Sequence, residues 1–174
     1  MKFNLPKTIE ILERTPSVLD ALLRNVSAEW VTCNEGGDTW SAYDIVGHLI
    51  YGEKTDWMPR TKIILSDCAD KQFQPFDRFA QFTESKGKSM AQLLDEFKSL
   101  RIKNIGALRT KRLTDADLAK KGIHPALGDV TLSQLLATWA VHDLNHLAQI
   151  SRVMAKHYKE DVGPWIEYLR ILKS

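Results

Sequence analysis

The sequence predicts an all-α protein, a four-helix bundle with long connections and a short C-terminal helix. Three observations carry that prediction. Apolar residues recur at alternating steps of four and three through four long segments, which is the spacing of one helix face. Ser41, Ser89 and Thr131 are each followed three positions later by Asp44, Gln92 and Gln134, the pattern of a capping box that opens a helix. The intervening stretches lack a helical period and collect glycine, proline and short polar residues.

The 174 residues, 44% hydrophobic and 26% charged, have the composition of a soluble globular domain, so one domain spanning 1–174 is expected. The formal charge of +2 offers no electrostatic footprint for a nucleic-acid backbone, and no basic stripe is interleaved with aromatics. The N-terminus has no apolar signal region and no window approaches the roughly 18 apolar residues of a spanning helix. A cytoplasmic protein without nucleic-acid or membrane partners is therefore expected. Cys33 and Cys68 have no metal-type spacing and read as free thiols.

In the first helix Leu5, Ile9, Leu12, Pro16, Leu19, Leu23 and Val26 keep one face. Pro16 removes a backbone donor and should kink the helix, or restart it with Thr15 as N-cap. After the polar loop around Gly36-Gly37, a second helix opens at Ser41 and is expected to run to about Leu65, bent at Pro59, with Trp40 stapled over Ile45. Gly52 lies in its interior, where its small size leaves room for a ligand or a facing helix. Residues Cys68 to Lys88 read as a long connection across the bundle whose aromatics anchor it to the core or wall a pocket. The third helix, opened by Ser89, carries Met90, Leu93, Leu94, Phe97, Leu100, Ile105 and Leu108 on its core stripe. Asn104 falls on that seam and Arg101 at its margin, where a snorkelling Arg is expected. A short helix capped by Thr114 should stop at Gly122, followed by a loop over Ile123 to Asp129 in which His124 serves as a hydrogen-bonding residue. The fourth helix runs from Thr131 to about His157, and Trp165 to Arg170 form a last short helix over the open end.

The fourth helix concentrates the chemistry. Leu135, Trp139, His142, His146, Gln149 and Val153 share its inward face. Two imidazoles one turn apart sit where an apolar side chain would be easier to bury, so something polar must satisfy them. Histidines at i and i+4 can direct ring nitrogens at one cation; core histidines bonded to neighbours are the alternative. His48, on the inward face of the second helix, supplies a third imidazole if the two helices pack together. Three such ligands with open positions are the usual form of a catalytic metal site.

Trp40-Ser41-x-x-Asp44-x-x-x-His48-Leu49, His124-Pro125-x-x-Gly128 and Trp139-x-x-His142-Asp143-x-x-His146-x-x-Gln149-Ile150 together resemble the DinB-like family, which includes YfiT-like proteins. The resemblance covers nearly the whole chain, and the three histidines are its most specific part. It implies a bundle of DinB type, commonly a homodimer, binding a divalent metal such as zinc or nickel through His48, His142 and His146. Relatives within that family include thiol transferases, isomerases and hydrolases, so a small-molecule substrate and a low-molecular-weight thiol cosubstrate enter as expectations. The family name refers to DNA-damage induction in one member and implies no polymerase activity.

A divalent ion held by three neutral imidazoles keeps its charge, so a bound water or thiol should lose its proton near neutral pH. Hydrolysis and thiol transfer are both open to such a site. The rival is a non-catalytic, stress-related metal-binding or interaction bundle. No carboxylate is marked as general base: Asp44 is explained by capping, Glu53 lies about 140° around the helix from His48, Asp56 is ambiguous, and Asp143 points off the metal face. Gln149, one turn beyond His146, is the candidate to orient a ligand.

Overall fold

The structure, a computed structural model, describes residues 2–173. It contains α1 (Leu5–Leu23), α2 (Ala28–Thr32), α3 (Ala42–Thr55), α4 (Trp57–Leu65), α5 (Gln81–Glu84), α6 (Met90–Thr110), α7 (Asp115–Leu118), the strands β1 (Lys121–His124) and β2 (Gly128–Thr131), and α8 (Leu132–Lys156). Two 3-10 helices, Gly163–Tyr168 and Arg170–Leu172, complete it. The expected bundle is present: α1 and α3 each pack against both α6 and α8. No helix among the described residues is long and apolar enough to cross a membrane.

Burial divides the interior into two apolar clusters. One joins Ile9 and Leu12 of α1, Trp57 and Ile64 of α4, Ile105 and Leu108 of α6, and Leu132 to Ala140 of α8. The other joins Leu19 and Leu23, Ala42 to Ile50 of α3, Leu93 to Phe97 of α6, and Ile150 and Val153. The order in which each helix visits the clusters gives its direction, so α1 and α8 run one way while α3 and α6 run the other. Because α4 ends at one end of the bundle and α6 begins at the other, the intervening residues 66–89 must return along its whole length. The expected long crossing has this cause. It is anchored by Phe73, which is 1% exposed, and by the Tyr43 hydroxyl, which donates to the Lys88 carbonyl at 2.9 Å.

All three expected capping boxes form, each with its side chain accepting from the third backbone N–H and the reciprocal bond returned. Several boundaries differ from expectation. Helix α1 stops at Leu23, and Asn25 takes a left-handed conformation (φ 61°), leaving Val26 outside. Pro16 sits inside a continuous helix rather than restarting it, and the Thr15 hydroxyl donates back to the Ile11 carbonyl at 3.2 Å. The second expected helix is two, broken at Asp56 (φ −106°, ψ −74°). Pro59 cannot donate to the Thr55 carbonyl and its ring crowds that oxygen, so the break falls directly after Thr55.

Residues 121–131, read as a helix end and a loop, form a β-hairpin in which Lys121 faces Thr131 and His124 faces Gly128. The crossing segment adds a parallel bridge to its edge, with Phe73 N–H donating to the Ile123 carbonyl at 2.9 Å. That contact needs Gly122, since a Cβ there would lie 2.5 Å from the Phe73 ring and 2.9 Å from Ile64 Cγ1. At the C-terminus the expected helix over Trp165 to Arg170 is replaced by the 3-10 turns, and the cover differs too. Trp165 is 70% exposed, whereas Leu172 is the buried contact.

Candidate metal centre

Polar side chains occupy the layer between the apolar clusters. Arg101, only 1% exposed, is its hub. It does not snorkel: Nε donates to Glu53 Oε1 at 3.0 Å and Nη2 to Asp143 Oδ1 at 3.0 Å. Asn104 Nδ2 donates to Glu53 Oε2 at 2.9 Å and Trp139 Nε1 to Glu53 Oε1 at 2.9 Å. Two carboxylates share one guanidinium, and burial, with Asp143 nearby, pushes Glu53 upward against the pull of Arg101 and Asn104. Arg101 Nη1 also donates to the Leu12 carbonyl, so four elements, α1, α3, α6 and α8, are fixed in register beside the histidines.

His48 on α3 and His142 and His146 on α8 converge as the sequence spacing requires. His142 Nε2 lies 3.1 Å from His48 Nε2 and 3.1 Å from His146 Nε2. One coordinating atom from each of the three lies within 4.8 Å of the others. Burial pushes His48 down to about 4, helped by His146 and by the Arg78 cation. Burial likewise pushes His142 down to about 3, helped by His146, His48 and Arg101, and pushes His146 down against the opposing pull of Gln149 and Asp143. All three rings are therefore neutral near pH 7, each with one lone pair.

The donor set fits a metal ion. His146 Nδ1 donates to Gln149 Oε1 at 2.8 Å, which leaves the His146 Nε2 lone pair facing the cluster. A proton on His142 Nε2 can serve the line to His146 or the line to His48, not both. One cation receiving all three lone pairs satisfies every Nε2 at once. Ligand nitrogens about 2.05 Å from a tetrahedral ion would stand about 3.3 Å apart, close to the two 3.1 Å separations that His142 makes. The Nδ1 atoms of His48 and His142 have no protein partner, so among the ligand candidates only His146 has its tautomer set by a neighbouring side chain.

The cluster opens into a cavity of about 830 Å³. Trp40 packs on the His48 ring at 4.9 Å between centroids and Phe76 meets it edge-on at 5.3 Å. Trp57 stacks on Trp139 at 5.8 Å and turns its edge to His142. Gly52 leaves room for this ring: a Cβ there would stand 3.2 Å from Trp57 Nε1, a tight contact that the indole would have to ease by a few tenths of an ångström. Its smallness thus serves an aromatic wall of the site. His124 also lines the cavity, and its Nδ1 accepts from the N–H groups of Ala126 and Leu127 at 3.1 and 3.2 Å, the loop role expected of it.

Among the carboxylates weighed from sequence, Glu53 and Asp143 belong to the Arg101 network and Asp44 to its cap. Asp56 alone lines the cavity. It pairs with Arg60, and burial pushes its carboxyl up to about 6 despite that cation. The signal for Asp56 was present in Pro59, whose break of the helix turns Asp56 out of the α3 register. Arg78, an exposed residue of the crossing, lines the same cavity and had no periodic signal.

Residues 11–150 match the DinB superfamily over most of the chain. This chain belongs to the DinB superfamily. The bundle of this DinB member also superposes on a solved structure, YfiT from Bacillus subtilis, described as "a probable metal-dependent hydrolase with an unusual four-helix bundle topology". The TM-score is 0.73 at 20% identity, covering 90% of this chain and 89% of that one. A second similar structure, TT2238, a four-helix bundle protein, has a TM-score of 0.53 at 16% identity, covering 85% and 98%. No curated protein matches the chain. At these identities the likeness is one of fold, and the DinB bundle is the shared feature.

Proposed function

We propose that this DinB-superfamily chain is a metal-dependent enzyme acting on a small molecule, with His48, His142 and His146 holding one divalent ion, zinc or nickel. The carrying observation is that no fourth His, Cys, Asp or Glu joins the triad among the described residues and that the triad faces a cavity large enough for a substrate. A fourth protein ligand would close such a site and make it structural. The ion would supply Lewis acidity, lowering the pKa of a bound water or low-molecular-weight thiol, for hydrolysis or thiol S-transfer.

The protein's own residues complete the reading. Gln149 holds His146 in the tautomer that presents Nε2, and the Arg101 network holds α8 against α3 and α6. Trp40, Trp57 and Phe76 exclude water from the histidine side of the cavity. Asp56, with its proton leaving near pH 6, is the wall's proton acceptor at neutral pH. The reading includes a homodimer, for which Val141 and Leu144, exposed on the outer side of α8, offer apolar surface.

The test is metal content of untagged protein purified without chelator, wild type against His142→Ala, followed by cobalt titration read in the visible d–d bands. One equivalent of divalent metal in wild type, lost in the variant, with a four- or five-coordinate cobalt spectrum, is expected. A wild type that neither carries nor binds zinc, nickel or cobalt would defeat the proposal.

A further inference from the structure

The charged groups around the cavity do not balance. Apart from the histidines, the charged side chains of its lining are Asp56, Arg60 and Arg78. Asp56 and Arg60 neutralise each other, and Arg60 also lies over the Phe73 ring, 5.1 Å from its centroid. Arg78, exposed at the cavity's edge, has no carboxylate partner among the described residues, and neither have Arg14, Arg112 and Arg170, but of these four Arg78 alone lines the cavity; Arg24 pairs with Asp95 and Arg152 with Glu35. Arg78 is carried on the 66–89 crossing, two residues beyond Phe76, which itself packs on His48. A guanidinium placed at a largely apolar cavity, without a partner of its own, presents a planar fork suited to a carboxylate, phosphonate or sulfonate oxygen pair.

We propose that the small molecule taken by this site carries an anionic group, and that Arg78 binds that group while the apolar body lies against Trp40, Trp57 and Phe76. The inference deepens the functional reading above and rests on the cavity being the substrate site. It narrows the substrate class from small molecules in general to amphipathic anions, and it makes Arg78 a specificity-determining residue. An anion bound at Arg78 is thus held at the mouth of the same cavity onto which the imidazole nitrogens open.

The test uses 3-phenylpropionate, 2-phenylethylphosphonate and 2-phenylethanesulfonate, each against neutral 3-phenylpropionamide, with binding followed by ligand-observed NMR. Wild type, Arg78→Gln and Arg78→Lys are each titrated metal-free and cobalt-loaded. Cobalt spectra report separately on the metal site, so failure of the metal reading shows as absent d–d bands while the metal-free titrations still judge Arg78. In metal-free wild type at least one anion should bind tenfold or more tighter than the amide. Arg78→Gln should abolish that preference with the cobalt spectrum of the free protein unchanged, and Arg78→Lys should retain part of it. A preference that survives Arg78→Gln, or no saturable binding by any of the three anions, overturns the proposal.

Discussion

Arg101 Nη1 donates a 2.8 Å hydrogen bond to the carbonyl oxygen of Leu12, the group that Pro16 leaves without its helical donor. The proline's missing N–H and the buried guanidinium thus complete each other across two helices. Replacing Arg101 by Met leaves that carbonyl, Glu53 and Asp143 without their shared cation. Breaking a buried pair in this way costs about 3–5 kcal/mol. Urea unfolding should show that loss in Arg101→Met; a change below about 1 kcal/mol would show that the network contributes little.

Gln149 should act on metal affinity without touching the metal. With Gln149→Leu, His146 Nδ1 loses its acceptor and the ring is free to place its proton on Nε2. Loss of such an orienting partner costs about 10–100-fold in affinity. Competition with a chromophoric chelator measures it, and unchanged affinity would remove Gln149 from the site.

The Glu35 carboxylate joins the loop before α3 to α8 through Arg152 and Lys156, at 2.8 and 2.7 Å. Its hydrogen bond to Arg152, above all, holds its pKa down to about 2 from 4.5. Because the folded-state value is depressed, the stabilisation is full above about 4.5 and disappears as pH falls through about 2. Glu35→Gln should therefore be less stable than wild type at pH 7 by about 1 kcal/mol, the scale of a partly exposed pair. The difference in thermal midpoint should close between pH 5 and pH 2, and a constant difference over that range would contradict the assignment.

At Gly122 a methyl group has nowhere to go, given Phe73 and Ile64. Gly122→Ala should destabilise by about 1–3 kcal/mol through overpacking. Phe73→Leu should cost less in the Gly122→Ala background than in wild type, because one change relieves the other. Additive losses in a double-mutant cycle would show that the contact is not limiting.

Metal should stabilise the folded protein by mass action. At free zinc about 100 times the dissociation constant the gain is about 2.7 kcal/mol. Thermal midpoints of wild type should rise with added zinc and fall with chelator, whereas His142→Ala should not respond.

The sequence by itself determined what depends on a few neighbouring residues. Helix periodicity placed His142 and His146 on one face, the capping boxes set three helix starts, and the spacing of Glu53 from His48 excluded it from the metal face. These are consequences of 3.6 residues per turn and of unsatisfied helix-end N–H groups, both local. The convergence of His48 on the other two was legible only as conditional on the two helices packing together, a pairing that the DinB resemblance implied and that is not written in either helix alone. Tertiary structure decided the rest. Arg101, which a marginal position marked for solvent, is buried because Glu53, Asp143 and the Leu12 carbonyl meet it from three other helices. The hairpin at 121–131 has strands of only four residues, too short for alternation to show, and the Phe73 segment adds hydrogen bonds to its edge. Asp56 and Arg78 reach the cavity through a proline break and a crossing segment, features whose direction follows from where the chain must go next rather than from the residues that make them.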